Sequence, residues 1–362
     1  MKIAILYGGK SGEHEVSLAS AASVVRELKS EHKLTLIGIS KAGTWILQPD
    51  SIAQDAKDGA EALDLRTNGP EVLIAPGEGF RVYGSHGASK LSVDLVFPVL
   101  HGTFGEDGTV QGLLECAALP YVGADVQGSA LGMDKDTAKR LWQFHGLTVV
   151  PFLSVEATDD EGLLELRAEA EARFGWPMFV KPSRAGSSVG ASRIVSAAAW
   201  LPALRDALRY DSKVLVEPFV EARELECSVL GNGVPRAFDP GEIVPSHEFY
   251  DYDAKYLDPN GAELLIPAPL ETALKDELRS TAIKAYQILG LRGMARVDFF
   301  MDKKSGKLYL NELNTIPGFT SISMFPKMCE AGGLAYPELL DELIRLALER
   351  HYEKSALSYR RD

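Results

Sequence analysis

The chain has 362 residues, 46% hydrophobic and 25% charged, enough for two or three globular domains with sizeable cores. A formal net charge of -13 with no basic run excludes nucleic acid or an acidic membrane surface as the main partner, so an anionic ligand would need a local positive pocket. Cys116, Cys227 and Cys329 lie far apart without CxxC spacing and read as buried small hydrophobes in a reducing cytoplasm. No stretch approaches a membrane span or a signal-peptide core.

Residues 2–7 form an apolar run that ends in Gly8-Gly9, and residues 15–28 carry apolar side chains at helical spacing. With a second strand over 33–40 this predicts a βαβ unit of the doubly wound kind. Gly9-Lys10-Ser11 looks like the end of a phosphate-binding loop, but GxxxxGK[ST] requires glycine where Ala4 stands, and GxGxxG is absent. Glu15 falls in the first turn of the helix, where the helix dipole alone favours a carboxylate. Residues 51–90 give no strong pattern and read as peripheral. The apolar run 91–100 suits a parallel strand buried on both faces, and it ends at His101-Gly102-Thr103-Phe104-Gly105. Ligand sites in open α/β sheets gather at such strand ends, so His101 is either a ligand contact or the cap of a turn.

A helical segment follows Ala124, and residues 133–136 lead into another over 137–144, close to a domain boundary. The strand over 176–182 carries Lys181 at its end and opens into Ser183-Arg184-Ala185-Gly186-Ser187-Ser188-Val189-Gly190, after which 192–195 returns as a strand. Backbone N–H groups in such a loop can form an anion-binding nest, and a plain hairpin tip would need neither Lys181 nor so many hydroxyls, so phosphate is the better reading. Residues 213–216 and 224–230 are strands separated by Glu217-Pro218-Phe219-Val220. The stretch 248–258, dense in Tyr and Asp without a period, is a loop of the kind that serves as a lid. Helices are predicted over 270–289 and 336–352, with a frayed tail over 355–362.

Two strand-like runs, 296–301 and 308–313, flank Asp302-Lys303-Lys304-Ser305-Gly306 and predict a hairpin. Alternation puts Arg296 and Asp298 on one face of the first strand, and Glu312 and Asn314 on one face of the second. If the faces coincide, three oxygen donors and a guanidinium converge. The donors suit magnesium or manganese rather than zinc, and magnesium on few carboxylates commonly accompanies a nucleotide. A solvated acidic hairpin face is the alternative. The turn that follows, with Thr320, Ser321 and Ser323, favours a site for an anionic substrate.

GGKSGEHEVSLAS, HGTFGEDGTVQG, MDKDTAK, VKPSRAGSSVGAS, VEPFVEARELECSVLG, EFYDYDAKY, RVDFF and NELNTIPGFTSIS, in that order, resemble the motifs of the D-alanine-D-alanine ligase family within the ATP-grasp superfamily. The resemblance runs from Gly8 to Ser323. It implies an α/β chain, α+β in its C-terminal part, with the ATP-grasp fold: an N-terminal doubly wound α/β domain over 1–134, a small central lid over 135–221 and a larger C-terminal domain over 222–362. It implies ATP and two Mg2+ or Mn2+ ions as cofactors and two D-alanine molecules as substrates. A cytoplasmic location follows, with a homodimer as the candidate assembly and neither nucleic acid nor membrane as partner.

By matching position, the resemblance gives Asp298, Glu312 and Asn314 as metal ligands. Lys135, Lys181 and Lys255 become nucleotide and phosphate lysines, with Ser187 and Ser188 in the loop over the phosphates. Glu217 and Val220 fall at the adenine hinge, where many relatives carry lysine in place of Pro218, and Glu224 falls at the ribose. Glu15 and His101 become contacts to the first D-alanine, with Ser187 and Tyr256 completing a hydrogen-bonded set with Glu15. Arg296 faces the oxyanion, and Gly318, Ser323 and Met324 face the second D-alanine. The rival readings are a D-alanine-D-lactate ligase, distinguished at the loop of Tyr256, and a nucleotide-binding regulator without catalysis. The intact Glu15, Ser187, Arg296 and metal set speak against the regulator.

Overall fold

The computed structural model describes residues 1–84, 87–245, 262–359 and 361. Strand β1 (Lys2–Gly8) sends Ile3, Ile5 and Tyr7 to one side and Ala4 and Leu6 to the other, all fully buried. A strand apolar on both faces must be covered on both. After α1 (His14–Glu27), β2 (Lys33–Ile39) pairs parallel with β1, as the opening pattern predicts. Residues 51–90 are more ordered than expected. Strands β3 (Trp45–Leu47), β4 (Glu71–Ala75), β5 (Gly79–Gly84) and β6 (Gly87–Leu91) extend the sheet as an antiparallel meander, with α2 (Asp50–Lys57) beside it. These strands lie at the sheet's outer edge, where half-exposed residues blur the apolar alternation that marks a central strand.

Strand β7 (Leu95–Val99) closes the sheet parallel to β1 on its other side, giving the order β6-β5-β4-β3-β2-β1-β7. Helix α3 (Thr109–Cys116) packs Val110 and Leu114 against Ala4 and Leu6. Cys116 ends that helix facing solvent, unlike the buried cysteine expected, whereas Cys227 and Cys329 are buried. Helix α4 (Val126–Met133) leads to α5 (Lys135–Phe144).

The next strands, β8 (Leu153–Glu156), β9 (Met178–Pro182), β10 (Ser192–Ile194) and β11 (Lys213–Pro218), form an antiparallel sheet in the order β10-β9-β11-β8. With α6 (Asp160–Phe174) and α7 (Ala197–Ala207) it has a core of its own around Val180, Trp200, Leu204 and Val214. Helix α5 does not join that core. Its Ala138 and Trp142 pack with Tyr286 and Leu313 of the C-terminal part.

That part is a second antiparallel sheet of β12 (Ala222–Leu230), β13 (Arg236–Ala237), β14 (Gly241–Pro245), β15 (Ala262–Leu265), β16 (Met294–Asp302) and β17 (Leu308–Asn314), ordered β15-β14-β12-β16-β17 with β13 on β12. Helix α8 (Thr272–Ile288) covers one face, burying Leu225, Cys227, Val229, Val297 and Phe299. The intervening residues, Glu224, Glu226, Ser228, Arg296 and Asp298, therefore share the other face. Helices α9 (Met324–Ala331) and α10 (Tyr336–Ser355) complete the chain, and Phe319, Phe325 and Leu339 share a core with Ile3, Ile5 and Tyr7. The first and last units are thus packed on one core, while the central sheet stands on its own. Among the described residues no helix is long and apolar enough to cross a membrane.

Candidate active site

The register of β16 and β17 pairs Arg296 with Asn314 and Asp298 with Glu312, so the faces predicted to carry oxygen donors do coincide. The register shifts between Asp298 and Phe299, which leaves Asn311 as an extra residue in β17 and lets Leu310 and Leu313, three apart, both face the core. Arg296 donates from Nε to Asp298 Oδ1 at 2.8 Å and from Nη2 to Oδ2 at 2.7 Å. The Asn314 amide donates to Asp298 Oδ2 at 2.9 Å. From β12, Glu226 brings Oε2 to 3.0 Å from the same guanidinium. Glu312 lies 3.3 Å from Lys135 Nζ, which also donates to the Ala185 carbonyl at 2.7 Å.

A second cluster of charge lies between β9, β11 and α5. Lys181 Nζ is 3.0 Å from Glu217 Oε2 and donates to Asn311 Oδ1 of β17 at 3.0 Å. Lys139, whose side chain is fully buried, donates to Glu217 Oε1 at 2.5 Å. Burial works against the Glu217 carboxylate, but the charges of Lys139 and then Lys181 outweigh it and hold its pKa below the usual value. Burial pushes the Lys139 ammonium down to about 8. Ser187 and Ser188, in the loop between β9 and β10, have φ of 49° and 59°. This left-handed backbone is costly for a residue with a Cβ, and turns of this kind aim successive N–H groups at one point.

Sequence reading placed Glu15 in a set with Ser187, and the geometry corrects this. Ser187 Oγ donates a short hydrogen bond to Glu13, not to Glu15. Glu15 lies two residues further along α1, more than half exposed, and pairs with Lys41 at 2.5 Å. Residues two apart at a helix start point to different sides, so only one of the two glutamates can face the site. Glu13 does so because two glycines make room. A methyl on Gly186 would come 2.7 Å from Glu13 Oε2, and one on Gly102 would come closer still. Tyr256 and Lys255 lie outside the described residues.

His101 is buried at the end of β7, with Nδ1 3.0 Å from the Ile316 carbonyl and Nε2 3.0 Å from Ser20 Oγ. Burial lowers its pKa, so the ring is neutral. Beside it Glu106 accepts from the Gly102 and Ile316 amides, each at 2.8 Å, and burial together with the nearby Glu13 pushes its carboxyl up to about 8. Ser323 precedes α9, and its Oγ accepts from the Thr320 amide at 3.0 Å. Gly318 keeps that turn tight, since a Cβ there would lie 2.7 Å from Ser323 Oγ. Met324 is buried in the core, which leaves its backbone as the part that could meet a ligand. Glu224 lies on the sheet face that carries Asp298, and Val220 stands two residues before β12.

Glu13, Glu106, Lys135, Gly186, Glu312 and Asn314 line one cleft. The sequence reading missed Glu13, Glu106, Lys139 and Glu226. Each is a buried charged residue next to a residue the reading had selected. The available signal was a second acidic or basic residue within five positions of a selected one.

The family model for the N-terminal part of D-Ala-D-Ala ligase matches residues 2–124, and that for its C-terminal part matches residues 141–345. A D-alanine--D-alanine ligase of Treponema denticola is 51% identical over 97% of this chain and 96% of its own length. D-alanine--D-alanine ligase A of Escherichia coli is 43% identical over 99% and 98%. Among solved structures, the D-alanine-D-alanine ligase from Coxiella burnetii superposes with a TM-score of 0.82 at 37% identity, covering 98% of this chain and 96% of that one. The VanG D-Ala:D-Ser ligase from Enterococcus faecalis gives 0.82 at 35% identity, covering 96% and 99%.

Proposed function

The chain belongs to the D-alanine-D-alanine ligase family, has the ATP-grasp fold and is an ATP-dependent ligase, and we propose that its cleft joins two D-alanines for peptidoglycan precursors in the cytoplasm. The observation that carries this reading is a cleft lined by Glu13, Lys135, Glu312 and Asn314, with Ser187 hydrogen-bonded to Glu13. A carboxylate is a poor acyl donor at neutral pH. The carboxylate of the first D-alanine attacks the γ-phosphate of ATP, giving an acylphosphate and ADP. The amine of the second D-alanine then attacks the acyl carbon, and phosphate leaves.

Glu13 and His101 flank the first D-alanine, with Ser187 fixed by Glu13. Lys135 and Lys181 face the phosphates, with the backbone of Ser187 and Ser188 over them, and Glu217, Val220 and Glu224 hold the adenosine. Lys255 and Tyr256 belong to the same assignment. Arg296 turns from Asp298 toward the oxyanion of the tetrahedral intermediate, where a guanidinium lowers the barrier by meeting charge as it develops. Gly318, Ser323 and the Met324 backbone at the start of α9 receive the second D-alanine's carboxylate.

Asp298, Glu312 and Asn314 fit Mg2+ or Mn2+ by the chemistry of the set: two carboxylates and an amide oxygen, all hard donors, on facing positions of adjacent strands. Such ions, when bound, neutralise phosphate charge. Asn314 now turns its amide nitrogen to Asp298, which leaves its oxygen as the ligating end. Units over 1–134, 135–221 and 222–362 and a homodimer complete the proposal. Helix α5 is the connector, since its buried face belongs to the C-terminal core.

The test is product analysis with ATP, magnesium and a mixture of D-alanine, D-lactate and D-serine at pH 6 and pH 8. The family assignment makes D-alanyl-D-alanine the expected dominant product, and because an amine acceptor must lose a proton before attack whereas lactate arrives with an uncharged hydroxyl, its yield should rise with pH. A depsipeptide or D-alanyl-D-serine majority at both pH values overturns the proposal.

A further inference from the structure

Lys139 has no part in the chemistry above, yet it is among the largest fully buried side chains of the molecule. Burying an ammonium costs several kcal/mol even with a partner, and a well-packed apolar side chain commonly serves stability as well. Glu217 already has a cation in Lys181, 3.0 Å from Oε2. A single pair would be electrically neutral. Adding Lys139 at 2.5 Å from Oε1 leaves two cations on one buried carboxylate, with the Phe152 ring 5.8 Å from Lys139 Nζ closing the other side.

Resting on the assignment of Glu217 to the adenine, we propose that Lys139 sets the choice of purine: it keeps the buried Glu217 ionised, so that this side chain accepts from a 6-amino group and cannot donate to a 6-oxo group. An ionised carboxylate is an acceptor only, with about four lone-pair positions, of which the two lysines use one on each oxygen. Adenine offers an N–H donor at position 6 and hypoxanthine offers an acceptor there, so an ionised Glu217 rejects hypoxanthine by leaving acceptor against acceptor in a dry site. A protonated Glu217 could turn its O–H toward either base. Lys139 is the nearer counter-charge, at 2.5 Å against 3.0 Å for Lys181, so removing it leaves the burial of Glu217 opposed only by the weaker partner.

The experiment is calorimetric binding of ADP and of inosine diphosphate to the full chain, read as the ratio of their Kd values. Each ratio is taken within one protein, so a loss of folded fraction cancels. Lys139→Met and Lys139→Gln remove the charge at similar volume, and both should shrink the preference for ADP by roughly tenfold, while Lys139→Arg should keep it. Glu217→Gln, whose amide can both donate and accept, should also lose the preference. If both neutral Lys139 variants keep the wild-type ratio while Glu217→Gln loses it, Lys139 has no part in selecting the base although Glu217 does. If Glu217→Gln keeps the ratio as well, Glu217 does not read the purine and the assignment beneath this inference falls with it.

Discussion

Two glutamates compete for one role at the start of α1, and replacing each in turn decides between them. Glu13→Gln keeps the volume but removes the charge that accepts from Ser187 Oγ. Hydrogen bonds to charged groups contribute about 1.5–3 kcal/mol, so kcat/KM for D-alanine should fall by roughly ten- to 150-fold if that bond shapes the site in the transition state. Glu15→Gln removes only a solvent-exposed pair with Lys41, of the kind that contributes little, and should leave kcat/KM near wild type. Gly186→Ala reaches the same point from the other side, because its methyl would press on Glu13 Oε2 from 2.7 Å. It should cost activity in the same range. Gly12→Ala, whose methyl would meet Val189 at an ordinary 3.9 Å, is the control. The assay is initial-rate phosphate release at saturating ATP and magnesium with D-alanine varied. A fall in Glu15→Gln equal to or larger than that in Glu13→Gln refutes the reasoning.

Glu312→Gln keeps the size of the side chain but halves the carboxylates of the donor set; turnover should drop by orders of magnitude with the thermal midpoint little changed, and near wild-type turnover at saturating magnesium would remove the hairpin as the metal site. Lys181→Ala should raise the KM for ATP more than that for D-alanine, because its ammonium serves the nucleotide, and equal losses would count against that role. Glu106 supplies a pH dependence of stability. Its carboxyl is raised by burial and by Glu13 from the ordinary 4.5 to about 8, so the folded chain keeps a proton over that window that the unfolded chain has released. Stability should therefore fall as pH rises through the window, by at most about 1.4 kcal/mol per pH unit for one proton. Melting curves at several pH values should show the fall and Glu106→Gln should flatten it; an identical slope in the variant would assign the effect to other groups.

The face that carries the oxygen donors was legible before the structure, because a strand's alternation is a local property and the hairpin is closed by a short turn. Arg296, Asp298, Glu312 and Asn314 had to share a face once the register was right, and the register places them opposite one another. The strand–helix–strand opening was legible for the same reason: β1 and β7 are buried on both faces and read as continuous apolar runs. The edge strands β3 to β6 were not, since their side chains meet solvent and carry no sharp period.

Local pattern could not choose between Glu13 and Glu15. Both stand at the same helix start, and the choice is made by space beside Gly102 and Gly186, which come from two loops far apart in sequence. The same holds for Lys139. In the sequence it is one of two lysines in α5, and only the tertiary structure, in which α5 packs on the C-terminal core, leaves it buried on Glu217 of β11. The periodicities that make strands and helices act over a few residues, so the sequence by itself determined which elements form and which faces carry charge. Which charges meet, and how far burial perturbs them, depends on groups that only the closed tertiary structure brings within a few ångströms.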